Sequence, residues 1–271
     1  MLLDTASLTQ AISAPALVVL LTFLVTGHYY NLNESLKDYV MFSVSPSIDP
    51  AIVSLAPGFR ALSIAVEAAP IANAEIAEEA LKQACASITG NETPWAEAHL
   101  AAWAEAFKAF GAKPKRTPCS ADALRKRVLR DRAMPAIDPI VDLYNAVSIR
   151  YAIPVGGENF AAYVGQPLLT IANGTELFDT FKEGEPASES PEPGEVIWRD
   201  NQGVTCRRWN WRQGVRTRLS AEAKQMWFIL ESLPAMPLEA LYQAGDALMQ
   251  GIELMMPDSR IEKKLIGFES L

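Results

Sequence analysis

The apolar positions of the chain change their period several times, and each change marks an element. Phe59 to Val66 (FRALSIAV) has the alternation and β character of a strand. Residues 74–88 carry helical spacing. Thr93-Pro94 opens a helix, with Thr93 as its cap and Pro94 in its first turn. That helix runs to Phe110 and stops at Gly111; its stripe is Trp95, His99, Trp103, Ala106 and Phe110, three to four residues apart. Ser120 caps a short basic helix (ADALRKRVLRDR), and Pro139 opens the segment IVDLYNAVSIRY, ended by Pro154 and the pair Gly156-Gly157. Shorter apolar runs predict strands at Phe42–Val44 and Leu168–Ala172, and two more, Glu195–Arg199 and Val204–Arg212, around the turn Asp200-Asn201-Gln202-Gly203. Residues 183–195 (EGEPASESPEPGE) are acidic and Pro-rich, which predicts an exposed loop. Met226–Leu233 is apolar on both faces, the pattern of a strand buried on both sides, and Leu238–Met249 is helical. There are no repeats. The elements predict one compact α+β domain over residues 41–271, with mixed β-sheets and flanking helices.

Residues 1–40 form an N-terminal extension whose stretch 14–27 (APALVVLLTFLVTG) is apolar. It is shorter than the roughly 20 residues that span a bilayer. Asp4 is the only charge before Glu34, and Lys37 is the first basic residue, so a secretory signal lacks its positive flank. Three readings stand: a start at Met41, an extra helix docked on the domain, and a membrane or export segment. On the first of these, the extension is dispensable.

Of the 271 residues, 49% are hydrophobic and 21% charged, the balance of an ordinary globular chain rather than a disordered one. The net charge of −8 argues against coating long nucleic acid by charge alone. The charge is segregated, however. Residues 111–132 hold eight basic and two acidic residues, and residues 207–218 hold five basic and none acidic, so these clusters carry +6 and +5 and the remainder carries −19. Such clusters can steer a polyanion to one face. Arg125, Lys126 and Arg127 of the first cluster are candidate RNA contacts, against the plain reading of a solvated helix face. Cys85, Cys119 and Cys206 are widely spaced with no CxxC pair, which points to a reduced, cytoplasmic chain without a disulfide frame or thiolate metal site. His28 and His99 are the two histidines, so any Ser–His, Cys–His or multi-histidine metal chemistry would have to use them. No HExxH, P-loop or GxGxxG motif occurs, and neither metal nor cofactor is expected. His99 lies on an apolar stripe and reads either as a packed structural residue or as a functional one.

Three places could carry chemistry. In Cys206–Gln213 (CRRWNWRQ), read as a strand, Arg208, Asn210 and Arg212 share one face and Trp209 and Trp211 the other. The Arg-Asn-Arg row is then a set of donors for a carbonyl, carboxylate or phosphate, or else the polar face of an edge strand. Glu231 shares its face with Trp227 and Ile229 in an otherwise apolar strand, so it needs a partner or a raised pKa. The Arg208/Arg212 row, Arg212 first, is its candidate partner. Glu231 is then either half of a structural ion pair or a pocket residue. Asn145 sits in the middle of its segment, a poor place for Asn unless its side chain anchors a loop or a ligand.

Together IVDLYNAVS (140–148), Gly156-Gly157, the WNWRQ run and FILES (228–232) resemble the B-three/B-four editing module of the bacterial phenylalanyl-tRNA synthetase β-subunit, and more closely its free-standing homologues. The resemblance covers residues 41–271 and implies an α+β domain around a cleft that hydrolyses wrongly attached amino acid from tRNA. It implies catalytic roles for Asn145 and for Glu231, which falls where the module recognises the misattached amino acid. Tyr144 stands where the motif has Thr, and Gly156 where the synthetase has its site His, so no His-dependent role carries over. Tyr144, Gly156, Gly157, Arg208, Asn210 and Arg212 become candidate substrate contacts. Gly165-Gln166-Pro167-Leu168 is similar to another synthetase motif but lies too far from Asn145, and we read it as coincidence.

The implied activity is a trans-acting deacylase of mischarged aminoacyl-tRNA, with tRNA and an aminoacyl-tRNA synthetase as candidate partners, and neither DNA nor membrane. A synthetic pocket rejects an isostere with one added hydroxyl by only about a hundredfold, which is why a second site is useful. An oxyanion donor in such a site contributes roughly 3–4 kcal/mol, and Asn210, Arg212 or backbone N–H groups near Gly214 could supply one. Two other classes stay open: a non-catalytic module that binds tRNA or an amino-acid-like ligand, and an interaction domain with a vestigial cleft.

Overall fold

The strand with two apolar faces is the centre of the structure. In a computed structural model that describes residues 41–88 and 93–267, it is β10 (Gln225–Ser232) of a four-stranded antiparallel sheet. The strands are, in chain order, β1 (Ser47–Ile48), β2 (Arg60–Glu67), β3 (Val155–Asn159), β4 (Leu168–Ile171), β5 (Phe178–Lys182), β6 (Glu185–Glu189), β7 (Val196–Arg199), β8 (Val204–Arg207), β9 (Arg212–Gln213), β10 and β11 (Arg260–Gly267). The helices are α1 (Ala51–Leu55), α2 (Glu75–Ser87), α3 (Ala96–Ala109), α4 (Ser120–Asp131), α5 (Pro139–Tyr151) and α6 (Leu238–Met255). The four-stranded sheet has the order β11-β2-β10-β3; the second, seven-stranded sheet has the order β1-β4-β7-β8-β5-β6, with β9 paired to β8.

Alternation along β10 serves two cores at once. Met226, Phe228 and Leu230 pack with Leu62, Ile64, Leu143 of α5 and Leu248 of α6. Trp227 and Ile229 point the other way, into a second core with Phe59, Trp103, Trp198 and Trp209. Glu231 therefore heads into an aromatic interface between the two sheets. Residues from Phe42 onward form one compact unit.

The local reasons for the helices are partly those read from the sequence. Asp138 caps α5, its carboxylate accepting from the N–H groups of Ile140 (2.9 Å) and Val141 (3.1 Å), with Pro139 as the first helical residue. Ala152, at φ 51°, ends it. His99 of α3 is fully buried: its Nδ1 donates to Ala152 O (2.8 Å), and its Nε2 accepts from Leu233 N (3.1 Å) and Trp103 Nε1 (3.2 Å). Burial pushes its pKa down to about 4. It is the packed, structural histidine.

Several expectations are corrected. Thr93 does not cap α3, which starts at Ala96; its hydroxyl donates to Arg150 O at the end of α5 (2.6 Å). Ser120 is the first residue of α4 rather than its cap, and its Oγ is buried without a partner. Phe42–Val44 is not a strand; pairing starts at Ser47, parallel to β4. The segment 183–195 is not a loop throughout. Glu183 and Gly184, at φ 55° and 86°, make a tight turn that folds β6 back on β5, and Glu195 is buried. The run Val204–Arg212 is not one strand. It breaks after Arg207, where Arg208 and Trp209 take φ 46° and 65° and turn the chain so that β9 pairs back onto β8. Gly156-Gly157 lies inside β3 rather than ending α5, and the last helix continues to Met255.

The apolar stretch 14–27, His28 and the expected dispensability of residues 1–40 lie outside the described residues. Among the described residues, no helix is long and apolar enough to cross a membrane.

Candidate active site

A cleft of about 270 Å³ opens where α5, β3, β10 and the β8–β9 turn meet. The register of β3 on β10 puts Gly156 opposite Ile229 and Glu158 opposite Trp227. Gly156 and Glu158 thus share the face of Trp227, Ile229 and Glu231. At Gly156 an added Cβ would meet Ile229 Cγ2 alone, at 3.2 Å. Gly157 faces the other way, where a Cβ would stand 2.9 Å from both the Tyr144 ring and Leu219. The bare backbone at Gly157 is what lets Tyr144 lie against β3, its ring 6.2 Å from that of Phe228. Burial pushes the Tyr144 hydroxyl well above its ordinary value.

Glu231 is 1% exposed and has two donors: Trp198 Nε1 on Oε1 and Asn210 Nδ2 on Oε2, both at 2.9 Å. Burial pushes its carboxyl up to about 7, against the pull of those two bonds and of the nearby Trp209 indole N–H. Neither arginine proposed as its partner reaches it. Arg212 donates to Thr180 Oγ1 (2.5 Å) and lies 3.7 Å from Glu189. Arg208 lies 3.6 Å from Glu195, its guanidinium 4.5 Å above the Trp211 ring. The positive φ values at Arg208 and Trp209 destroy the strand alternation on which the Arg-Asn-Arg row depended. Asn210 and Arg212 line the cleft. Arg208 lines a separate cavity beside Lys113 and Arg116.

The B3/4 domain model matches residues 102–238, an interval that holds every residue lining the cleft. The chain belongs to the B3/4 domain family. Among solved structures, this B3/4 domain is similar to an N-terminal fragment of the phenylalanyl-tRNA synthetase β-subunit from Pyrococcus horikoshii, with a TM-score of 0.42 and 10% identity over 82% of this chain and 51% of that one. The chain thus spans about half the length of that fragment. No curated protein matches it.

The fold of this B3/4 domain brings together seven of the eight residues proposed for catalysis and substrate contact: Tyr144, Asn145, Gly156, Gly157, Asn210, Arg212 and Glu231 all line the one cleft. Asn145 is partly buried on α5, and its side chain makes no hydrogen bond among the described residues. The candidate RNA contacts lie on α4, whose first turn (Ser120, Ala123, Leu124) borders the cleft. They are not equivalent. Arg125 is partly buried and donates to Ile149 O (2.5 Å), tying α4 to the end of α5. Lys126 and Arg127 are exposed, 2.6 Å from Asp122 and 3.8 Å from Asp131 on the same helix.

Sequence reasoning missed Glu158, Trp198, Cys206 and Gln213, which line the cleft as well. Glu158 directly follows the Gly156-Gly157 pair, and a carboxylate there, two residues before Phe160, is the signal that could have found it. Cys206 is not a nucleophile in waiting. Burial and the neighbouring Glu158 and Glu231 push its thiol far up, away from the thiolate. Among the described residues, seven buried side-chain polar atoms have no partner, and four of them line this cleft: Ser120 Oγ, Glu158 Oε2, Trp209 Nε1 and Asn210 Oδ1. Buried polar atoms are normally paired, so this clustering makes the cleft the candidate site. No group of three or more His, Cys, Asp or Glu among the described residues could hold a metal ion.

Proposed function

We propose that the cleft binds the aminoacyl end of a mischarged tRNA and hydrolyses its ester, acting in trans. The observation that carries this reading is the set of unpaired polar atoms gathered beside the clamped Glu231 carboxyl in one cleft of a B3/4 domain. Glu231, fixed by Trp198 and Asn210, keeps lone pairs for a donor on the amino-acid side chain. Asn145, without a hydrogen-bond partner among the described residues, orients the ester or the attacking water. Ser120 Oγ is an unused donor of the kind a developing oxyanion needs; one such donor contributes roughly 3–4 kcal/mol. Lys126 and Arg127 meet the phosphates of the tRNA. The ester is activated already, so a placed water and these donors suffice.

A second reading has its own support. Among the described residues no histidine lines the cleft: His99 is committed to the core, and Gly156 stands where the resemblance has its His. On that reading the domain binds aminoacyl-tRNA or an amino-acid-like ligand without turnover. A panel of mischarged tRNAs decides. Release of amino acid that falls at least tenfold in Asn145→Ala or Glu231→Gln supports hydrolysis. Tight binding with no release beyond the spontaneous rate supports the binding module.

A further inference from the structure

Glu158 has no part in the reading above, and its surroundings are unusual. It is 4% exposed, it lines the cleft, and its Oε2 has no hydrogen-bond partner. Thr217 and Gln213 stand close enough to pull its pKa down, but neither makes a well-formed hydrogen bond to its Oε2. Gln213 spends its Nε2 on Gly157 O (2.6 Å). Thr217, 1% exposed, also leaves its Oγ1 unpaired. The Arg216 cation pulls its pKa down, but that guanidinium is taken up by Asp200, at 2.9 Å from each carboxylate oxygen, and by Ala162 O (2.6 Å). Nothing in the described chain supplies a cation to this carboxylate. Burial accordingly pushes its pKa up to about 8.

A carboxyl kept in such a place without a counter-charge is destabilising unless something else supplies the charge. A second unpaired acceptor in the same cleft, Asn210 Oδ1, points the same way. Both are acceptors, so both call for a ligand rich in N–H. A neutral hydroxyl would satisfy one lone pair and leave the carboxyl protonated, whereas a cation favours the carboxylate. A primary ammonium brings three donors and the opposite charge. It also explains the two carboxyls of the cleft. They lie on one face of adjacent strands, Glu158 opposite Trp227 and Glu231 four residues further along β10, a separation of about 13 Å at roughly 3.3 Å per residue. One can hold the amino end of a ligand while the other meets its side chain.

We propose that Glu158 is the receptor for a free primary ammonium group, so that the cleft selects ligands with an unblocked amino group. This rests on the cleft being the ligand site but not on hydrolysis. With an aminoacyl ester as ligand, Glu158 holds the α-ammonium and is a binding residue rather than a catalytic one. It then excludes N-acylated esters, such as those at the end of a growing peptide.

The test uses the full chain and two panels of probes, each probe made with its amino group free and acetylated. The first panel is non-hydrolysable 3′-aminoacylamido-3′-deoxyadenosines with small, aliphatic and aromatic side chains. The second is the corresponding amino-acid amides, without adenosine. Calorimetry should find tight binding of at least one free amine, weakened about thirtyfold or more by acetylation, the scale for losing one partner of a buried charge pair. Glu158→Gln, which preserves shape, should lose a similar factor for the free amine and stay within about threefold of wild type for the acetylated probe. Acetylated probes that bind wild type as well as free amines overturn the proposal without any variant. So does Glu158→Gln with unchanged affinity for the free amine, and so does failure of every free amine in both panels. If the amides bind through Glu158 and the adenosine probes do not, the ammonium site stands and the editing reading falls.

Discussion

Replacing Glu231 with Gln separates a site residue from a structural one. Had Glu231 been half of a buried ion pair, its removal would strand a cation and destabilise the fold by about 3–5 kcal/mol. The structure gives it no cation: its partners are Trp198 Nε1 and Asn210 Nδ2. Gln at this position keeps an acceptor for Trp198, and its new N–H donors can meet Asn210 Oδ1, now unpaired, if the Asn210 amide rotates. The hydrogen bonds survive, so the variant should fold. The pH dependence supplies the magnitude. The folded carboxyl titrates at about 7 against an ordinary 4.5. Folding is then favoured by the neutral form. Its contribution is fully present below pH 4.5 and is lost as the pH rises through 7, a loss of about 3 kcal/mol. Gln cannot ionise and escapes that loss. Urea denaturation of both proteins should therefore show Glu231→Gln gaining on wild type between pH 4.5 and pH 7, with the gain levelling off near 3 kcal/mol above pH 8. A deacylation assay on the same samples should show altered turnover or amino-acid preference. A variant that loses 3 kcal/mol or more at every pH, or a stability difference that does not change with pH, would refute the reasoning and return Glu231 to a structural role.

Three further outcomes are expected. His99→Phe leaves Leu233 N–H, Trp103 Nε1 and Ala152 O unpaired in the core and should destabilise by about 3 kcal/mol at pH 7. Because the folded pKa of His99 is lowered to about 4, the wild type should lose stability as the pH falls from 6.5 through 4; acid titration monitored by circular dichroism should show that loss missing in the variant. The double variant Lys126→Ala, Arg127→Ala removes two exposed cations and should change stability by less than about 1 kcal/mol. In filter binding it should weaken tRNA affinity and flatten the salt slope by about 2, and unchanged binding would return the cluster to a solvated helix face. Gly157→Ala drives a Cβ into the Tyr144 ring and should destabilise by about 1–3 kcal/mol, whereas Gly156→Ala meets only Ile229 Cγ2, at 3.2 Å, and should lower the melting temperature less.

What could be read along the chain was whatever depends on near neighbours. The α+β class follows from the change of hydrophobic period. The start of α5 follows from Asp138 and Pro139, whose cap reaches only two and three residues ahead. The double burial of β10 follows from its apolar run Met226–Leu230, and Glu231 stands out as the carboxylate that ends it. The partners of Glu231 could not be read this way. They are 33 and 21 residues distant, and one of them sits beyond a turn formed by Arg208 and Trp209 at positive φ, a conformation that no Gly or Asn announces. The same turn moved Arg208 to another cavity and buried Trp209. Glu158 became visible as a site residue only through pairing. The register of β3 on β10 turns it toward the cleft, and the commitments of Gln213 and Arg216 leave its Oε2 unpaired among the described residues. Whether a buried carboxylate is satisfied depends on every donor around it, and those donors come from segments that only the tertiary fold brings together.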